Sequence, residues 1–153
     1  MNAVETALQT ALEHLAPLNG QVTTPEDGRR DVTINAGDLL EGARLLLDSG
    51  WGYLTAITGL DHGESEGVLE VLVHFCAGAA VLTLRIRLAR AGGELASLCV
   101  LIPAASVFER EISEMFGVTF SGSPDTRRLF LPDEWPEGVY PLLKESPAAA
   151  GEA

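Results

Sequence analysis

Apolar residues recur along the chain with two periods, and the switches between them predict its elements. Over 2–16, Val4, Leu8, Ala11, Leu12 and Leu15 share one helical face, and Asn2 with Glu5 has capping-box spacing. Pro17 and Gly20 end that helix. At 29–34 the period shortens to two, with Val32 and Ile34 on one side, which predicts a short strand after the loop 24–28. A second helix follows: Asp38 is expected to cap it with Glu41, Leu39, Leu40, Ala43, Leu46 and Leu47 form its stripe, and Gly50 stops it. Strands are then expected at 52–59, 68–76, 80–88 and 97–102. In the second of these Leu69, Val71, Val73 and Phe75 share a face, and in the third Leu82, Leu84 and Ile86 oppose Thr83, Arg85 and Arg87. The short link Ala77-Gly78-Ala79 makes those two an antiparallel hairpin, because a parallel return needs a dozen residues or more.

The last helix is expected to open on an S-x-x-E box of Ser106 and Glu109. Phe108, Ile112, Met115 and Phe116 form its stripe, and Gly117 ends it. Glu109, Arg110, Glu111 and Glu114 are thereby left to its outer faces. From 121 the chain turns proline-rich, with Pro124, Pro132, Pro136, Pro141 and Pro147, so it can hydrogen-bond little to itself. It still keeps Phe130, Trp135, Tyr140 and Leu142, residue types suited to a strap laid on another protein. The expected class is α+β. A mixed, largely antiparallel sheet with helices packed on it occupies 1–120, followed by an extended docking tail at 121–147 and a disordered end at 148–153.

Composition narrows the partners. With 46% hydrophobic and 21% charged residues the chain can bury a core and is not compositionally disordered. Its 10 Lys+Arg against 22 Asp+Glu give a net charge of −12, which repels phosphate backbones and anionic lipid, so a protein partner is expected and nucleic acid is not. No apolar run is long enough for a membrane span. The first fifteen residues carry Glu5 and Glu13 without Lys or Arg, the wrong charge for a leader, which points to a cytosolic chain.

Candidate chemistry is sparse. His74 and Cys76, two apart on one strand, share a face but lack a third orienting group, and structural roles are expected for both. Asp61-His62-Gly63-Glu64 has neither H-E-x-x-H spacing nor a further ligand and reads as a solvated turn. A free-standing enzyme built on either group is the competing hypothesis. Cys76 and Cys99 form no C-x-x-C pair, and neither G-x-G-x-x-G nor G-x-x-x-x-G-K-[ST] occurs. The interleaved charges at 109–128 instead suit a specific protein contact.

Those same residues carry a family pattern. Glu109-Arg110-Glu111-Ile112-Ser113-Glu114-Met115-Phe116-Gly117, then Pro124-Asp125-Thr126-Arg127-Arg128 and Leu131-Pro132-Asp133-Glu134-Trp135, resembles the signature of the thirty-kilodalton subunit of respiratory complex I, the NADH-quinone oxidoreductase. The match is dense over about 105–145. It departs from the family at Ser123, where His is common before the proline, and at Leu143, where an Arg is common, so one polar contact to a partner must differ. The resemblance implies a subunit with no cofactor or metal of its own, the flavin and iron–sulfur clusters residing in partner subunits. It implies packing against the large quinone-site subunit and the small cluster-bearing subunit on the cytoplasmic side of the membrane, which the chain would reach only through the complex. It further implies an interface at Glu109, Arg110, Glu111, Glu114, Arg127, Arg128, Trp135, Tyr140 and Lys144, with 135–144 as the docking tail and no catalytic residue. The sequence also resembles the corresponding subunit of energy-converting nickel–iron hydrogenases and formate hydrogenlyases.

Overall fold

The computed structural model describes residues 1–145; the end expected at 148–153, and the last two residues of the expected tail, lie outside them. Helix α1 (Ala3–Leu15) starts where Asn2 Oδ1 accepts the Glu5 N–H at 2.9 Å. The Glu5 carboxylate is directed elsewhere, to Arg30, and ties α1 to the sheet. Strands β1 (Gln21–Thr23) and β2 (Arg29–Ile34) follow, then α2 (Leu39–Asp48), β3 (Tyr53–Asp61), β4 (Val68–Ala77) and β5 (Ala80–Ala89). The five strands lie in the order β1-β2-β5-β4-β3. Only β2 and β5 run parallel; the other neighbours are antiparallel. This topology follows from the connections: α2 carries the chain to the far edge, and two hairpins return it until β5 fills the centre beside β2.

The alternation expected in β4 and β5 is present. Leu69, Val71, Val73 and Phe75, with Leu82, Leu84 and Ile86, form a buried floor on which Leu8, Ala11 and Leu15 of α1 and Leu39, Ala43 and Leu46 of α2 pack. Trp51 adds a hydrogen bond from its indole N–H to the Ala7 carbonyl at 2.7 Å. The opposite sheet face is polar. On it Arg85 holds Glu70 through two bonds of 2.6 and 3.0 Å and reaches Asp31 at 3.0 Å.

Four sequence expectations are corrected. Asp38 does not cap α2: it ends the short 3₁₀ turn Ala36–Asp38 with a helical backbone, and its carboxylate accepts from the Asn35 amide. The strand expected at 97–102 is a three-residue strand β6 (Glu94–Ala96) followed by a 3₁₀ turn, Leu98–Val100. Ser97 makes the difference, its hydroxyl accepting the Cys99 N–H at 3.1 Å; short apolar runs do not distinguish strand from turn by periodicity. Nor does Ser106 cap the last helix. α3 (Ala105–Phe116) begins at Ala104 without a side-chain cap, and Glu109, expected outside, is 1% exposed. Its buried stripe is Ala105, Glu109, Ile112 and Phe116.

After α3 the chain forms β7 (Thr119–Ser121), parallel to β6. The resulting β–α–β unit lays α3 across β3, where Gly59 leaves room for Phe116: a Cβ there would stand 2.4 Å from the ring.

Candidate functional site

α3 and the segment after it form one hydrogen-bonded unit, and nearly every charged residue of the 109–128 cluster helps to build it. Glu109 points inward. Its carboxylate accepts the Ser97 hydroxyl at 2.7 Å, the Leu98 N–H at 2.6 Å and the Cys99 thiol at 3.4 Å. Burial, with the Glu109 charge adding to it, pushes the Cys99 thiol up, so the sulfur keeps its proton and donates. Glu109 thus fixes the turn that leads into α3.

Glu114, just over one turn on, captures the strap. Its two oxygens accept the N–H groups of Leu129, Phe130 and Leu131 at 2.6 to 3.0 Å. Three successive N–H groups converging on one carboxylate replace the secondary structure that the prolines deny this segment. Burial alone would raise the Glu114 pKa. The Phe130, Leu131 and Leu129 N–H groups and the Arg110 charge outweigh it, leaving the carboxyl below its ordinary value. Arg110 donates to the Arg127 and Arg128 carbonyls, each at 2.8 Å. Arg128 donates to the Pro132 and Trp135 carbonyls, and the Trp135 indole to Val139. Arg127 pairs with Asp125 at 2.7 Å and holds that carboxyl well below the usual range.

The strap then returns to the sheet. Tyr140 lies on Gly117, whose φ of +80° closes α3, and the Leu142 N–H meets the Met115 carbonyl at 3.1 Å. A side chain at 117 would be strained by that φ and would stand 2.6 Å from the Tyr140 ring. Gly117→Ala is therefore expected to lower stability by about 2 kcal/mol, read as a lower urea midpoint.

Lys144 enters through its backbone: its N–H donates to Asp61 Oδ2 at 2.7 Å, while Arg90 binds Asp61 and the Lys144 carbonyl. The sequence singles out Asp61 only as part of a turn with two carboxylates around an imidazole. It gives no sign of Arg90 or of this clamp, whose partners lie far apart along the chain. The Arg90 guanidinium, against the opposing effect of burial, lowers the Asp61 pKa to about 2. A depressed carboxyl contributes stability above its ordinary value near 3.8 and loses it as pH falls through the folded value. Urea midpoints are accordingly expected to drop between about pH 4 and pH 2. In Asp61→Asn that part of the drop should disappear and the midpoint above pH 4 should be lower.

The other candidate chemistry is not assembled. His74 bonds Thr58 and Thr83, each at 2.9 Å, and Cys76 lies 3.6 Å from the Thr55 hydroxyl; they share a face without touching. Burial, with Arg29 nearby, lowers the His74 pKa. His62 is paired with Glu70 at 2.8 Å. Among the described residues no group of three or more His, Cys, Asp or Glu could hold a metal ion. A cleft of about 310 Å³ lies between α3 and the strap, but the charged groups lining it, Arg110, Glu114 and Asp125 among them, are tied to one another or to the backbone.

Among the three carboxylates of α3, one differs. Glu111, half-buried on the outer side of α3, has no hydrogen bond or ion pair to any described residue. One turn before it stands Val107, 50% exposed, and Phe130 is held by Glu114 at 62% exposed.

The family model described as respiratory-chain NADH dehydrogenase, 30 Kd subunit, matches residues 32–152. The chain belongs to this family. The thirty-kilodalton family match runs from the middle of β2 through β7 and includes α3 and the strap, the parts just described. Formate hydrogenlyase subunit 5 of Escherichia coli is 35% identical over 118 residues, 75% of this chain and 21% of that protein. The NADH-quinone oxidoreductase C subunit of Chlorobium phaeobacteroides is 34% identical over 97 residues, 62% of this chain and 57% of that one. The match thus spans a fifth of the first relative and under two thirds of the second. The fold recurs in a chain of the membrane-bound sulfane sulfur reductase, an archaeal respiratory membrane complex, with a TM-score of 0.80, 22% identity and coverage of 97% of this chain and 88% of that chain. No helix among the described residues is long and apolar enough to cross a membrane.

Proposed function

We propose that this chain is a non-catalytic structural subunit of the peripheral, quinone-reducing arm of a complex I-like NADH-quinone oxidoreductase. It braces the large quinone-site subunit and the small cluster-bearing subunit during electron transfer coupled to ion translocation. On this reading it has no active site or cofactor of its own; flavin and iron–sulfur clusters belong to its partners, and it meets the cytoplasmic face of the membrane only through them.

The observation that carries the proposal is how the signature residues are used. Glu109, Glu114, Arg110 and Arg128 have their polar atoms engaged within the chain, which stiffens α3 and the strap. Glu111 is left facing outward one turn from the exposed Val107. A preorganised surface with a free carboxylate on α3 and apolar anchors is suited to docking, and it lacks the paired groups that chemistry needs. Trp135, Tyr140 and Lys144 would act by holding the tail in register for the partner, and Arg127 by the exposed side of the guanidinium that it pairs with Asp125.

Glu111→Ala tests this. The variant is expected to fold with an unchanged melting temperature and to bind the large subunit at least tenfold more weakly; unchanged affinity would contradict the assignment. Truncation before Trp135 should abolish binding. The homology to formate hydrogenlyase subunit 5 favours a second reading, the equivalent subunit of an energy-converting hydrogenase. Neighbouring genes decide between them: a nickel–iron hydrogenase large subunit supports the second, NADH-module subunits the first.

A further inference from the structure

The five-stranded sheet has two unequal borders. β1 is three residues long, whereas β3 runs nine residues and, among the described residues, pairs on one side only, with β4. A free edge presents unpaired N–H and C=O groups, and folded chains usually guard it with charge, proline or a bulge. β3 has a bulge, between Leu54 and Ala56, where Thr55 turns its hydroxyl to the His74 carbonyl at 3.0 Å. Past it, Ala56, Ile57, Thr58, Gly59 and Leu60 include neither a charge nor a proline. α3 covers one face of this stretch through Phe116 on Gly59, yet Thr58 is exposed and Leu60 is 42% exposed.

We propose that the 56–60 edge of β3 accepts an extended segment of the large partner subunit, paired backbone to backbone, so that the sheet continues as a sixth strand across the subunit boundary. The identity of the partner rests on the function proposed above. The edge itself determines the form of the occupant, since its open backbone groups repeat at strand spacing and match only another strand. Charge determines its composition. The turn after β3 carries Glu64 and Glu66, with side chains 72% and 56% exposed and only loose contacts of 3.7 to 3.8 Å to Arg90, His62 and Arg87, so the incoming segment should bring Lys or Arg to that end and apolar residues over Leu60 and Leu72. A second copy of this chain, also at −12, is a poorer occupant.

Amide hydrogen exchange of the full chain, alone and bound to the large subunit, tests the proposal. The outward amides within 56–60 should exchange at least tenfold more slowly in the complex. Leu60→Lys should raise the dissociation constant at least tenfold while leaving the melting temperature of the free chain unchanged. If the wild-type chain binds the large subunit but exchange at 56–60 and the affinity of Leu60→Lys are unaltered, the edge is not the contact and the functional reading survives. If the wild-type chain fails to bind at all, both fall. Concentration-dependent protection of 56–60 in the free chain would assign the edge to a second copy and overturn the proposal.

Discussion

Replacing Glu109 by alanine is expected to lower the free energy of unfolding by about 3 kcal/mol, the largest global effect of any single change in the signature. Two effects oppose each other. Burying a carboxylate with no cation beside it is costly, and alanine removes that cost. Alanine also leaves the Ser97 hydroxyl and the Leu98 N–H without an acceptor in the interior, at roughly 1–3 kcal/mol each, and opens a cavity under α3. The unmet donors and the cavity together outweigh the gain. For a chain of this size the melting temperature should fall by about 6–12 °C, measurable by scanning calorimetry. Glu109→Gln keeps the volume and one acceptor but turns an amide donor toward groups that are themselves donors, so an intermediate loss is expected.

Glu114→Ala should act differently, releasing the strap while the sheet stays folded. The lost contacts are charge-assisted bonds to three consecutive N–H groups, each typically about 1.5–3 kcal/mol. The amides of Leu129, Phe130 and Leu131 are therefore expected to exchange about a hundredfold faster or more, and the Trp135 emission should shift to the red. Urea unfolding followed by far-ultraviolet dichroism, which reports the sheet and helices, should move little. Because the Glu114 pKa is depressed, its hold on the strap is fully present above the ordinary glutamate value and is lost as pH falls through the folded value. In the wild type the same exchange signature should appear on acidification, and in Glu114→Ala it should be present without it.

The sheet is legible in the sequence because period-two alternation leaves one register that buries Leu69, Val71, Val73 and Phe75 against Leu82, Leu84 and Ile86. The central parallel pairing of β2 with β5 does not follow from the strand pattern, since adjacency there is set by where α2 delivers the chain. α3 shows the sharpest limit. Its apolar pattern runs through Phe108, Ile112, Met115 and Phe116, whereas the buried face runs through Ala105, Glu109, Ile112 and Phe116. A glutamate in a buried stripe contradicts the hydrophobic pattern unless donors await it, and those donors sit in a turn that apolar content disguises as a strand. The cluster at 109–128 stands out by its charges. Its division into inward Glu109, strap-binding Glu114 and outward Glu111 depends on contacts ten to twenty residues away that no local pattern records.

If α3 and its strap form a docking surface for the large subunit, Glu111→Ala should separate the two proteins without unfolding either. The decisive measurement is purification of the intact complex through a tag on this chain, with every co-purifying protein quantified for the wild type and for Glu111→Ala. One copy of the chain per large subunit is expected in the wild type, and in Glu111→Ala a folded chain recovered largely free of that subunit. Equal recovery of the large subunit by both proteins, or a wild-type chain isolated alone, would contradict the docking role.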